Sequence, residues 1–201
     1  MQISYLKITG IFGMMLCLFL SPACKKTGDN PQAQTTHVHG IIPLPLNVSL
    51  TVGSLTLDKN IVLVTNLQFE PAVAVVETAL TGAFNSGIIK NDTPSGTTNI
   101  QFVFDNTLDT NAYQIDISVK GIIVRSGNPV GAFYAAQSIR QMILNSTSGQ
   151  KAESFNLRCM TIKDKPQFAW RGFHLDVSRH FFTREYILKI IDWLAYYKFN
   201  T

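Results

Sequence analysis

Cysteine is scarce in this chain. Cys17, Cys24 and Cys159 are the only three in 201 residues, and no spacing among them matches a zinc site or a disulfide framework. Histidine is scarcer as a ligand set. His37 and His39 flank Val38 in a polar stretch, and two such residues alone are a weak metal signal, so neither metal nor cofactor is expected. Charged residues make up 15% against 46% hydrophobic, which excludes a disordered, charge-rich chain. The formal net charge of +4 draws partly on Lys7 and the Lys25–Lys26 pair, so there is no basic footprint and nucleic acid is excluded as a partner. Internal repeats and low-complexity tracts are absent. The apolar run Ile11 to Leu20, interrupted at Gly13, falls short of the roughly 20 residues a membrane span needs.

That run follows the positive Lys7 and reads as the core of an export signal. Leu20-Ser21-Pro22-Ala23-Cys24 comes next, a small residue directly before a cysteine. The tract resembles a bacterial lipoprotein signal, which would make residues 1–23 a leader and Cys24 the lipidated first residue of the mature protein. An ordinary cleaved signal peptide, with Cys24 incidental, is the alternative. Either way the chain is exported; the lipoprotein reading holds it at the periplasm, outer membrane or cell surface by a lipid anchor in the membrane. Residues 24–40 are polar, with little to bury, and read as a flexible tether.

Residues 41–165 read as an α+β domain. Pro43 and Pro45 hold Ile41 to Leu46 extended. Ile61 to Thr65 is a short β-branched strand, and Pro71 opens a helix that runs on to Leu80. Gly82 to Gly96 reads as loop. Ile100, Phe102 and Phe104 mark the buried face of a strand. Tyr113, Ile115, Ile117 and Val119 alternate with polar residues, and Lys120-Gly121 turns the chain into Ile122 to Arg125, a β-hairpin. Asn128 caps a helix from Pro129 to about Asn145, with Ala132, Ala136, Ile139 and Ile143 along one stripe. Phe155 to Ile162 is the last strand, and Cys159 is a small buried side chain within it. The expected unit is an antiparallel-rich sheet of about four or five strands with two helices on one face. Tyr113 and Tyr134 are explained by packing, and no aromatic stripe of the kind used for stacking sugars is present.

Lys165-Pro166 marks a boundary, and residues 166–201 have a different character. Phe173, Leu175 and Val177 alternate with His174, Asp176 and Ser178, the period of a strand. A polar cluster of Asp176, Ser178, Arg179 and His180 ends it. Thr183 is a competent N-cap, Glu185 lies in the first turn, and Tyr186, Ile187, Ile190, Ile191, Leu194 and Tyr197 recur at helical spacing. This is strand, polar loop, amphipathic helix, with Arg179 and His180 at the carboxyl end of the strand, where α/β folds build sites. One strand–helix unit cannot bury its own apolar faces, so it belongs to a larger body or needs a partner.

Two segments together resemble glycoside hydrolase family 20, the β-N-acetylhexosaminidases. Tyr113 to Leu144, with GNPVGAFYAAQSIRQMIL, looks like that family's small N-terminal domain. WRGFHLDVSRHFFTREYILKIIDWLAYYKFN looks like the first strand and helix of its catalytic (β/α)8 barrel, here truncated. The resemblance implies that Arg179 binds ring hydroxyls of the sugar, a task suited to a rigid, permanently charged fork of donors. Asp176 and His180 then support Arg179 or its loop rather than touch substrate. Arg171, at the other end of the strand, reads as structural, and His174 as a satisfied buried histidine. The family hydrolyses terminal β-linked N-acetylglucosamine or N-acetylgalactosamine. The substrate's own acetamido group is the nucleophile, served by a neighbouring Asp–Glu pair. No Asp-Glu dipeptide occurs in these residues, so no catalytic residue is expected in this chain and it should be inactive alone. Two other readings stay open: another glycosidase with a similar small domain, such as an α-glucuronidase-like barrel, which the S-R-H tract argues against; and a non-catalytic surface lipoprotein that binds a glycan or a protein.

Overall fold

A computed structural model describes residues 40–64, 66–96 and 98–201. The expected leader, Cys17, Cys24, His37, His39 and all of the tether before Gly40 lie outside the described residues. Among the described residues, seven strands and three α-helices follow in the order β1 (Asn47–Asp58), β2 (Val62–Val64), α1 (Glu70–Phe84), β3 (Ile89–Asn91), β4 (Asn99–Phe104), β5 (Tyr113–Ser118), β6 (Gly121–Ser126), α2 (Pro129–Ser146), β7 (Ser154–Asp164) and α3 (Arg184–Tyr196), with a short 3-10 turn at Leu67–Phe69 leading into α1.

The strands form one sheet in the order β1-β7-β5-β6-β4-β2-β3. The pairs β1–β7, β7–β5 and β5–β6 are antiparallel, whereas β6–β4, β4–β2 and β2–β3 are parallel. The sheet is therefore mixed and larger than the antiparallel-rich one expected. Strand β2 lies within the expected Ile61–Thr65 strand, whereas β3 escaped because it is three residues long, too short to show a period, and falls in the expected loop. The expected loop from Gly82 to Gly96 is shorter too. Helix α1 continues to Phe84, is ended by Asn85 in the left-handed region (φ 52°), and β3 follows. Strand β1 was hidden by a different cause. Its pairing with β7 breaks between Leu50 and Ser54, at Gly53 (φ 115°). Across this bulge the buried phase of β7 switches from Phe155 and Leu157 to Met160 and Ile162, so no single alternation runs through either strand.

Where the local signals were strong, the elements follow them. In the β5–β6 hairpin Ser118 pairs with Gly121, so Val119 and Lys120 form the turn and Gly121 opens β6. Gly121 has φ 146°, and a Cβ there would come 2.2 Å from the Asn99 carbonyl oxygen. Asn128 caps α2 by accepting from the Gly131 amide (2.8 Å). Ala132, Ala136, Ile139 and Ile143 are buried as the stripe predicts. Helices α1 and α2 pack side by side on the apolar face of the sheet, where Ile100, Phe102, Ile115, Ile122, Val124 and Ile162 meet them in one core. Phe104 departs from the expected face and is 48% exposed. Cys159 is buried and free.

The described residues from Gly40 to Thr201 form one compact unit. Within it, the stretch from Trp170 to Val177 is not a strand. A strand exists through its ladder, and two backbone hydrogen bonds tie this stretch to the chain end: Asn200 N–H to the Arg171 carbonyl (3.0 Å) and Phe173 N–H to the Thr201 carbonyl (2.9 Å). Helix α3 forms as its cap predicts, with Thr183 Oγ1 accepting from the Tyr186 amide (3.3 Å). None of its residues is fully buried: of its apolar stripe, Tyr186, Ile191 and Tyr197 are exposed and Ile187, Ile190 and Leu194 are half-buried.

Candidate functional site

The polar loop after Val177 is the first candidate. Asp176 Oδ1 accepts from the amides of Ser178 (2.9 Å) and Arg179 (3.3 Å), which curls the chain at the point where the alternating residues end. The same carboxylate meets the guanidinium, with Asp176 Oδ2 at 3.4 Å from Arg179 Nε. Arg179 and Asp176 are thus brought together. The Arg179 side chain is 86% exposed, so its remaining donors point at solvent. His180 is exposed beside it. His174 is exposed as well, against the expectation of a buried histidine, because no described element covers that side of the stretch. An exposed fork with one weak ion partner can clasp adjacent hydroxyls. A general acid–base pair is another matter: the loop presents the single carboxylate of Asp176, already engaged by the Arg179 cation. Among the described residues no group of three or more His, Cys, Asp or Glu side chains could hold a metal ion.

The second candidate lies where residues 164–171 and the chain end meet the small domain. A cleft of about 370 Å³ opens there, walled by Leu44, Tyr134 and Phe168, with Asp164, Arg171 and Lys198 at its base and rim. Tyr113 projects from β5, Ser138 from α2, Asp164 from the end of β7, and Lys198 from the chain just after α3. The Lys198 ammonium donates to the Tyr113 hydroxyl (2.7 Å) and reaches Asp164 Oδ2 (3.4 Å). The Tyr113 hydroxyl donates to Asp164 Oδ2 (2.7 Å) and lies 2.8 Å from Ser138 Oγ. Burial, helped by the Asp164 charge, pushes the Tyr113 phenol well above its ordinary value. Burial likewise pushes the Lys198 ammonium down; Asp164 opposes that shift and Arg171 adds to it.

Arg171 bridges the two regions. Its Nη2 donates to the Tyr134 hydroxyl (2.7 Å), Nε to the Lys198 carbonyl (2.8 Å) and Nη1 to the Phe168 carbonyl (2.5 Å). The structural reading of Arg171 fits these bonds. Tyr113 and Tyr134 do more than pack, since both hydroxyls sit in polar networks. Sequence reasoning missed Asp164, Ser138 and Lys198 as a group. Their only local signal is that an alternating strand begins at a tyrosine; they meet by folding alone.

Residues 38–165 match the family described as "Glycosyl hydrolase family 20, domain 2". Residues 168–201 match "Glycosyl hydrolase family 20, catalytic domain". Over 161 residues the chain is 30% identical to a beta-hexosaminidase of Vibrio vulnificus, covering 80% of this chain and 18% of that protein. A beta-hexosaminidase of Porphyromonas gingivalis is 29% identical over 199 residues, 94% of this chain and 25% of the relative. The crystal structure of a GH20 exo beta-N-acetylglucosaminidase from Vibrio harveyi, in complex with N-acetylglucosamine, superposes with a TM-score of 0.69 at 26% identity, covering 82% of this chain and 25% of that one. The chain spans a quarter or less of the length of each of these three proteins.

Proposed function

Because the chain belongs to glycosyl hydrolase family 20, we propose that it is the amino-terminal portion of an exo-acting β-N-acetylhexosaminidase. The complete enzyme removes terminal β-linked N-acetylglucosamine or N-acetylgalactosamine from oligosaccharides or glycoconjugates. Residues 41–165 are its small domain, and residues 166–201 open its (β/α)8 catalytic barrel. The observation that carries this reading is the exposed guanidinium of Arg179, in a loop inside the stretch that matches the catalytic domain. Arg179 binds ring hydroxyls and Asp176 orients it, with His180 supporting the loop. The sugar's acetamido group attacks its own anomeric carbon, so the protein supplies no nucleophile. An Asp–Glu pair on later barrel strands steadies that group and moves the proton to the leaving oxygen. These 201 residues contain no Asp-Glu dipeptide, so the chain alone does not catalyse.

The test compares two proteins on p-nitrophenyl N-acetyl-β-glucosaminide and its galactosaminide analogue. The product of the complete reading frame should release nitrophenol, and the 201-residue chain should not. A complete product inactive on both substrates would favour a non-catalytic surface module. Activity in the short chain would overturn the assignment of catalysis to missing strands. Export through lipidation at Cys24 is a further part of the proposal. Radiolabelled palmitate should enter the wild-type protein and not Cys24→Ala; label retained in the variant would leave an ordinary signal peptide as the better account.

A further inference from the structure

Both ends of the exposed stretch between Phe173 and Arg184 are fastened to one helix of the small domain. At the leading end, Arg171 donates to the Tyr134 hydroxyl (2.7 Å), and its guanidinium lies 5.1 Å from that ring's centroid. The backbone bonds from Asn200 and to Thr201 hold residues 171–173 beside the chain end. At the trailing end, Arg140 makes a two-pronged ion pair with Asp192 of α3 (2.9 and 3.0 Å) and sits 5.1 Å over the Tyr196 ring. Gln141 Nε2 donates to the Tyr196 carbonyl (2.7 Å). Tyr134 and Gln141 are two turns apart on the same face of α2, and both are buried. Between these anchors the chain is held by little beyond the local turn at Asp176.

We propose, building on the hexosaminidase reading above, that Tyr134, Arg140 and Gln141 are positioning residues for Arg179. Helix α2 sets the separation and direction of the 171–173 segment and of α3, and the loop that carries Arg179 inherits its aim from those two ends. The small domain thereby acts on sugar binding without touching sugar. The reason is geometric: a guanidinium that clasps two hydroxyls tolerates little displacement, and a misplacement of about 1 Å can cost about a hundredfold.

Two conservative variants of the complete enzyme test this. Tyr134→Phe keeps the ring over Arg171 and deletes one hydrogen bond. Arg140→Lys keeps the charge and loses the fork to Asp192. Each should raise KM for the nitrophenyl substrate about two- to tenfold while kcat stays within about twofold, because contacts to ring hydroxyls serve substrate and transition state alike. In an Arg179→Lys background neither substitution should add a further rise. Unchanged KM in both variants, or full additivity with Arg179→Lys, overturns the inference. An inactive wild type would instead sink the hexosaminidase reading. The anchoring is then read in the 201-residue chain, where Tyr134→Phe must speed amide exchange at Phe173 and Asn200 several-fold. Unaltered exchange there overturns it too.

Discussion

Lys198 sits just past α3 in the left-handed region at φ 63°, a conformation that costs a residue with a Cβ about 1–2 kcal/mol. Its side chain explains why the fold keeps it there: the ammonium fills a buried niche against Tyr113 and Asp164, with side-chain exposures of 6% for the lysine and 13% for the aspartate. Removing one partner strands the other. Lys198→Met should cost about 3–5 kcal/mol in urea unfolding, and adding Asp164→Asn should recover more than half of that loss. A double variant as unstable as the sum of its singles would mean the pair is not the source. The pH dependence has two opposing parts. Tyr113 has a folded value above its ordinary 10.0, so its contribution is intact below pH 10 and is lost as pH rises further. Lys198 has a folded value below its ordinary 10.5, so burying its charge costs stability at lower pH and that cost fades as pH approaches 10.5. The wild-type urea midpoint should therefore fall above pH 10, and Tyr113→Phe should lose that fall. An identical alkaline fall in the variant would assign it elsewhere. At this scale Arg179 and Asp176 were legible because they share a local tract, whereas Lys198 and Asp164 lie 34 residues apart in sequence and meet only in the folded chain.

Among the elements, those with a strong cap or a clean period could be read directly. Asn128 and Pro129 announce α2, Thr183 announces α3, and the Tyr113 alternation announces β5. Strand β1 was illegible because the bulge at Gly53 breaks its phase. The stretch from Trp170 was misread for the opposite reason: its alternation is clean, but pairing makes a strand and the pairing is slight. Gly121 offers a sharp test of element-level physics. Gly121→Ala must place a Cβ at a left-handed φ and against the Asn99 carbonyl oxygen, so it should cost about 2 kcal/mol or more. Gly149 also has positive φ (68°), but nothing lies within 4 Å of a Cβ there, and Gly149→Ala should cost about 1 kcal/mol. Equal losses in urea titrations would show that the close approach to β4 is unimportant.

The described part of the chain is a well-buried small domain carrying an extended stretch and a helix with many exposed apolar side chains. Trp170, Phe173, Val177, Phe181, Leu188 and Ile191 are all exposed. A patch of this kind on a soluble chain favours association. The 201-residue chain should therefore elute above its 22.3 kDa mass at tens of micromolar and bind a hydrophobic dye. Leu188→Lys with Ile191→Lys should lower both, with little change in the unfolding midpoint, because these side chains are 50% and 54% exposed. A wild-type chain that is monomeric and dye-silent would show that the patch is covered by other means.

The sequence by itself determined the helices, the hairpin and the tract that carries Arg179, because caps, turns and short motifs act over a few residues. Tertiary structure alone decided the mixed strand order, the Tyr113–Asp164–Lys198 cluster and the anchoring of residues 171–196 on α2. These arise from contacts between segments far apart in the chain. Such contacts depend on which faces are left to bury once the local elements have formed, and no local pattern encodes that.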